Sequence, residues 1–364
     1  MTELAALSIV IPSYNARDLL ARCLRTLEDV VPEAEVIVVD GDSSDGSADM
    51  VERDFPKVVL QRQRNHGFAH ATNRGIERAS KPYVLLMNSD LFLTRAAAEA
   101  MHGRLAADPR LAAVGPRLVN EDGSRQSVFG AFYWPNWVEV TKASRVWLLS
   151  GACFMTRRDV IERVGALDES FFLYNEEYDW CQRCRDAGYH LEILPERVVH
   201  VGGGSTRRNP ALVLEAQRGF LWVAKKHAPP ALAEAIRRVA LVEGYCCARL
   251  DPRPDHRSMW AKLESLTRRE AYLESPFPVS GRGDSVAQPN GLTLTALSVL
   301  PPELAARADE SGARLRPEAM ADPVRLEAAA DAARAEPVRA VRPSNVLPLR
   351  REARRGPRTR RVAI

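Results

Sequence analysis

The chain opens on an alternation between short, nearly unbroken apolar runs and longer stretches whose apolar residues recur with helical spacing. Leu7 to Pro12 (LSIVIP), Glu35 to Asp40 (EVIVVD), Val58 to Gln61 and Tyr83 to Met87 (YVLLM) read as strands. The first and last of these are apolar enough to be covered on both faces. Between them, Arg17 to Glu28 carries Leu19, Leu20, Cys23, Leu24 and Leu27 on one stripe, which predicts a helix. Further helices are expected over Phe68 to Ala79 and Arg95 to Ala107. Strands that alternate with helices predict βαβ units, an α/β fold and a mostly parallel sheet. Ligands of such sheets bind beyond the carboxyl ends of the strands. Each of those ends carries polar residues: Ser13, Tyr14 and Asn15; Asp40, Asp42 and Asp45; Asn65; Asn88 and Asp90.

From about Gly115 the pattern loosens. Asn120 to Ser124 (NEDGS) reads as a hairpin turn, Phe129 to Trp137 as an aromatic loop and Val146 to Met155 (VWLLSGACFM) as one buried strand. Glu176 to Ala187 predicts a helix closed by Gly188, a favourable C-terminal cap. His190 to Leu194 and Arg197 to Val201 predict two short strands, and Ala211 to Leu250 a helical stretch interrupted at Pro229 and Pro230. An amphipathic helix is expected over Trp260 to Leu273. Beyond about Asp251 proline, alanine, arginine and glutamate dominate, and a segment so poor in large apolar residues cannot offset its chain entropy. The expected organisation is a catalytic-type α/β domain over residues 1–206, a helical extension over 207–275 and a mostly disordered basic tail over 276–364.

Composition changes this picture little. Among 364 residues, 46% hydrophobic and 27% charged is ordinary for a globular protein, and a net charge of +4 gives no reason to expect a nucleic-acid partner. Neither a charged-then-apolar leader nor a membrane-length apolar run is present in the sequence, so a cytoplasmic protein is expected. The arginines from Arg350 to Arg361 fit either peripheral contact with anionic phospholipid at the inner face of the membrane or a solvated tail. Cys181 and Cys184 form a C-x-x-C pair without the second pair a zinc site wants, and are expected to pack one turn apart on a helix.

Two acidic residues invite a reading from position alone. Asp40 ends an apolar strand in the expected crevice and suits a ligand contact, whereas Asp45 suits the capping of the helix that follows. A resemblance sharpens this. IPSYN at Ile11 to Asn15, VVDGDSSDGS at Val38 to Ser47 and NHGFAHATNRG at Asn65 to Gly75 resemble the nucleotide-binding half of family 2 glycosyltransferases. The likeness continues through LLMNSD at Leu85 to Asp90, the stretch from Ser150 to Trp180 and VVHVGGGS at Val198 to Ser205, where it is most similar to the bacterial rhamnosyltransferase-type branch. Together these motifs span roughly residues 7 to 206.

The resemblance implies a Rossmann-like GT-A fold and an inverting transfer from a nucleoside diphosphate sugar, with rhamnose the suggested sugar, to a glycan or lipid-linked acceptor. By the same resemblance Asp40 binds the nucleobase in a pocket lined by Pro12, Ser13, Tyr14 and Asn15, with Asp42, Asn65 and Gly67 beside the nucleotide. Asn88-Ser89-Asp90 stands where the family has its D-x-D metal motif, so the first acid is here an asparagine. Asp90 and His200 are then the expected ligands of Mg²⁺ or Mn²⁺. The family's general base lies in an E-D motif that reads Glu176-Glu177 in this chain, which makes Glu177 the first candidate base and Glu176 the second. Acids in a helix's first turn also complement its dipole, and that accounts for at least one of Glu176, Glu177 and Asp179. Trp134, Trp137 and Trp147 suit either stacking on an acceptor or core packing. Two other classes stay open: a nucleotide-sugar-binding subunit without catalysis, and a nucleotidyltransferase, against which stands the lack of a glycine-rich basic triphosphate loop. A nicotinamide dehydrogenase fares worse, since no G-x-G-x-x-G follows the first strand.

Overall fold

The computed structural model describes residues 3–126, 141–202 and 209–277. The aromatic loop with Trp134 and Trp137, two of the three glycines after Val201, and the arginine-rich tail with its expected disorder lie outside the described residues.

A nine-stranded sheet in the order β3-β2-β1-β4-β8-β6-β9-β5 forms the frame, with β7 also paired to β9. The strands are β1 (Leu7–Ser13), β2 (Glu35–Asp40), β3 (Val59–Arg62), β4 (Tyr83–Met87), β5 (Leu91–Phe92), β6 (Leu111–Val119), β7 (Ser144–Val146), β8 (Cys153–Arg157) and β9 (His190–His200). β1, β2, β3, β4, β6 and β9 run in one direction, and β5, β7 and β8 in the other. Along β1, Ile9 and Ile11 face one core while Val10 faces the other; Leu85 and Met87 alternate with Val84 and Leu86 along β4. That period-two burial on both faces requires a helical layer on each side.

One layer holds α1 (Arg17–Val30), α2 (Ser47–Asp54) and α4 (Arg95–Ala107), whose Leu20, Leu24, Leu27, Met50, Val51, Met101 and Leu105 fill the first core. The other holds α3 (Phe68–Arg78), α5 (Arg158–Val164) and α6 (Glu176–Asp186), contributing Ala69, Ile76, Val160, Ile161 and Trp180. Cys181 and Cys184 sit one turn apart in this second core, where burial pushes both thiols up. Helices α7 (Pro210–His227), α8 (Pro230–Leu250) and α9 (Pro254–Arg269) follow. A smaller core of Leu214, Leu221, Met259, Leu263, Leu266 and Tyr272 joins α7 to α9.

Several expectations need correction. The run from Val146 to Met155 is not one strand: β7 ends at Val146, β8 starts at Cys153, and the residues between turn across the carboxyl edge of β4. The two short strands over residues 190–201 are one strand, β9, whose register against β6 shifts across Pro195, which has no N–H to donate to the ladder. The last helix starts at Pro254, earlier than Trp260. Trp147 is 81% exposed with the Arg185 guanidinium over its ring, so core packing does not describe it.

Candidate active site

The carboxyl ends of β1, β2, β4, β6 and β9, and the amino end of the oppositely directed β8, share one edge of the sheet. Most of the polar residues singled out by sequence lie along it. Ser13 pairs with Asp40 in the β1–β2 ladder, and the Gly41 N–H donates to Ser13 O at 2.9 Å. Asp40 is buried; its Oδ1 accepts the Ser43 N–H at 2.9 Å, and its Oδ2 has no partner. Asn15, left-handed at φ 48°, locks the two loops together: its N–H donates to Ser43 Oγ and its Oδ1 accepts the Ser44 N–H, each at 2.8 Å. Asp45 accepts the first N–H of two helices, from Arg17 and from Ser47, both at 2.9 Å, while Gly46 occupies the cap position of α2. Asp42 is exposed and left-handed at φ 66°. Burial raises the Tyr14 hydroxyl's pKa, partly opposed by a hydrogen bond to Asn15 and reinforced by Asp42, Asp40 and Asp45, so it stays a proton donor near neutrality.

Asn65 makes a turn of its own, its Oδ1 accepting the Gly67 N–H at 3.0 Å. Gly67 has φ +100°, and a Cβ there would stand 2.3 Å from Phe172 O. The close approach that this glycine permits is thus to the loop ahead of α6.

Beyond β4, the Asn88 N–H donates to Ala152 O at 2.9 Å, and Asn88 Oδ1 is buried without a partner. Asp90 reaches β9: Oδ1 lies 3.2 Å from His200 Nε2, and Oδ2 accepts the Gly202 N–H at 3.1 Å. His200 Nδ1 lies 2.5 Å from Gln126 Oε1. The Gln126 amide nitrogen has two acceptors, His200 O at 3.0 Å and Asn120 Oδ1 at 3.2 Å, which fixes the amide's orientation. Oε1 can only accept, so Nδ1 carries the proton and Nε2 faces a carboxylate with its lone pair unless a proton or a metal cation lies between them. Among the described residues no group of three or more His, Cys, Asp and Glu is placed to hold a metal ion.

Glu176 and Glu177 open α6 beside this edge. Gly151, one residue before the Ala152 carbonyl that holds Asn88, packs on Glu177: a Cβ at Gly151 would lie 3.4 Å from Glu177 Cβ. Glu176 is buried and Glu177 half-buried, and neither Oε2 has a partner. Burial raises the Glu176 pKa well above the usual carboxylate range, with repulsion from Glu177 and Glu215 adding to it; burial also raises that of Glu177. Asp179 is different. Burial alone would raise its pKa, but Lys226, His227 and Arg183 bring it below the usual value, with His227 Nε2 and Arg183 Nε each 2.8 Å away. Asp179 therefore ties α6 to α7.

Three contributors were not singled out from the sequence. Gln126 and Gly151 lie in loops, and Gln63 follows β3 with its Nε2 buried and unpartnered. Pairing with residues distant in sequence brings all three to the edge.

Residues 8–165 match the model of Glycosyl transferase family 2. Over 261 residues, 61% of this chain and 85% of the relative, the sequence is 28% identical to N-acetylglucosaminyl-diphospho-decaprenol L-rhamnosyltransferase of Mycobacterium tuberculosis (strain ATCC 25618 / H37Rv). It is 25% identical to poly-beta-1,6-N-acetyl-D-glucosamine synthase of Staphylococcus aureus (strain MW2) over 209 residues, 53% of this chain and 49% of that one. Among solved structures, the mannosyltransferase PcManGT from Pyrobaculum calidifontis in complex with GDP-Man and Mn2+ aligns with a TM-score of 0.47 at 20% identity, covering 74% of this chain and 84% of that one. The chain thus carries a family 2 glycosyltransferase domain over residues 8–165.

Proposed function

We propose that the protein is an inverting glycosyltransferase that moves a sugar from a nucleoside diphosphate donor to a hydroxyl of a glycan or lipid-linked acceptor. The observation that carries this is the row of buried, unpartnered polar atoms along one sheet edge: Ser13 Oγ, Asp40 Oδ2, Gln63 Nε2, Asn88 Oδ1, Glu176 Oε2 and Glu177 Oε2. Buried polar groups without partners are costly, and such a row marks a ligand surface. Asp40 has one free oxygen, which suits the single imide N–H of thymine or uracil better than the paired donors of guanine. Gln63 Nε2 then supplies a donor for a base carbonyl.

Asp90 and His200 would hold a divalent cation. Their 3.2 Å separation fits neighbouring ligands of one ion, and magnesium-type sites commonly take one or two protein ligands and complete the shell from phosphates and water. Such an ion, when bound, stabilises the departing diphosphate. In the transfer, the acceptor oxygen bonds to the anomeric carbon as the bond to the diphosphate breaks, and its proton passes to Glu177. Glu177 is favoured over Glu176 because it lies against Gly151 at the sheet edge and is half-buried, whereas Glu176 is buried. An acceptor on a lipid carrier, as the rhamnosyltransferase relative's name describes, would place the enzyme at a membrane surface. Among the described residues no helix is long and apolar enough to cross one.

The test is a mass-spectrometric screen of thymidine, uridine and guanosine diphosphate sugars against polyprenyl-diphosphate-linked glycans, with Mg²⁺ or Mn²⁺ present. Transfer from a thymidine or uridine donor is expected, lost in Asp40→Ala. Donor binding without turnover across the panel would instead favour a binding subunit.

A further inference from the structure

The carboxylate pair is carried on an unusual turn. Tyr174 and Asn175, the two residues before Glu176, are both left-handed, at φ 71° and 72°. Asparagine takes this conformation readily as a single residue, but two in succession, one of them a tyrosine, call for surroundings that hold them there. The surroundings here come from one face of α7. Asn175 Nδ2 donates to Ala216 O at 3.0 Å, and the Asn175 amide lies over Gly219, where a Cβ would stand 2.7 Å from that nitrogen and 3.3 Å from Phe171 Cδ1. The Phe172 N–H donates to Glu215 Oε1 at 3.0 Å. Glu215 is itself fixed by Arg218, whose Nε lies 2.8 Å away and whose Nη2 donates to Ser170 O at 3.0 Å, while Nη1 reaches Tyr272 O. Both side chains of this ion pair are fully buried. A buried pair between adjacent turns of one helix is a weak source of net stability, because desolvation offsets its attraction. Its hydrogen bonds instead fix where the 170–172 segment runs.

We propose that this face of α7, Glu215, Ala216, Arg218 and Gly219, positions Glu176 and Glu177 for proton abstraction, with the fit of Asn175 over Gly219 as its latch. The proposal rests on the transferase reading above for the role of the carboxylates. It makes the helical extension part of the catalytic apparatus although α7 lies beyond the residues matched by the family model. Asn175 and Gly219 are positioning residues: they act through the turn that carries the carboxylates.

Gly219→Ala in the full chain tests the latch. Alanine is the better helix former, so α7 has no reason to unfold, while the added methyl displaces the Asn175 amide. Misplacing the base is expected to lower kcat roughly tenfold or more, with the donor KM held within about threefold. The acid limb of the pH profile should shift with it. Asn175→Gly keeps access to the left-handed turn and removes the amide that collides, so adding Gly219→Ala in that background should change kcat less than about twofold. Hydrogen exchange of the 170–179 amides should quicken in Gly219→Ala and not in the double variant relative to Asn175→Gly. Wild-type kcat in Gly219→Ala, or the same drop in the Asn175→Gly background, would overturn the proposal. If the wild type transfers no sugar, the transferase reading fails separately, and unchanged exchange of 170–179 in Gly219→Ala would still overturn the latch.

Discussion

Gly67 and Phe172, more than a hundred positions apart, meet backbone to backbone: the Phe68 N–H donates to Phe172 O at 2.6 Å, and a Cβ on Gly67 would stand 2.3 Å from the same oxygen. The turn beside the proposed nucleotide pocket and the loop that leads to the carboxylates are therefore one rigid contact. Gly67→Ala has neither room nor a comfortable φ, and is expected to cost at least about 2 kcal/mol in urea unfolding. Near-wild-type stability would show that the two loops are not joined in this way.

The raised carboxylates set a pH dependence. Glu176 has a folded pKa above its unfolded value, so its favourable contribution is complete below about 4.5 and is lost as pH rises through the folded value. Glu176→Gln should therefore unfold at higher urea than wild type at pH 8, with the advantage shrinking toward pH 4.5. An advantage that grows on acidification would contradict the assigned direction. Glu177, also raised, must be ionised to accept a proton, so kcat should climb with pH along an acid limb centred above the ordinary glutamate value.

Gln126 holds His200 with Nε2 toward Asp90. Partners that orient a metal-binding histidine are typically worth 10- to 100-fold in affinity, so Gln126→Ala should weaken Mn²⁺ binding by roughly that factor in an electron paramagnetic resonance titration. Asp90→Ala should weaken it further, and unaltered Mn²⁺ affinity in both variants would remove the metal from this pair.

Asp179 is held by Arg183, His227 and Lys226, all donors to a fully buried carboxylate. Asp179→Ala removes the acceptor that these three side chains share, while Lys226 keeps Asp168 and Arg183 keeps the carbonyls of Val164 and Ala166, and is expected to destabilise by about 2 kcal/mol, measured by denaturant unfolding. Because its folded pKa is depressed, this contribution is present above about 3.8 and is lost as pH falls through the folded value. Donor affinity in the surviving folded fraction should be unchanged.

The first four parallel strands were legible in the sequence because each is a compact apolar run between helical stripes, and their polar ends fall on one edge of the sheet. β6 was not, since Gly115 and Pro116 interrupt an apolar run that otherwise reads as a strand. β7 and β8 merged in the sequence because Trp147, Leu148 and Leu149 keep the pattern apolar across a turn. Candidate residues could be named from sequence where a motif carries them, as at Asp40, Asp90 and Glu177. They could not be where a contact bridges distant segments, as Gln126 does to His200 and Gly219 to Asn175. No local periodicity encodes such pairs.

The most direct test of the account is the steady-state rate of Glu177→Gln with the donor identified in the screen, measured beside donor binding by calorimetry. The account predicts a kcat lowered about 10²- to 10⁴-fold with donor affinity preserved, because the amide keeps the shape of the side chain and cannot accept the proton. Turnover at the wild-type rate in Glu177→Gln would contradict the assignment of the base.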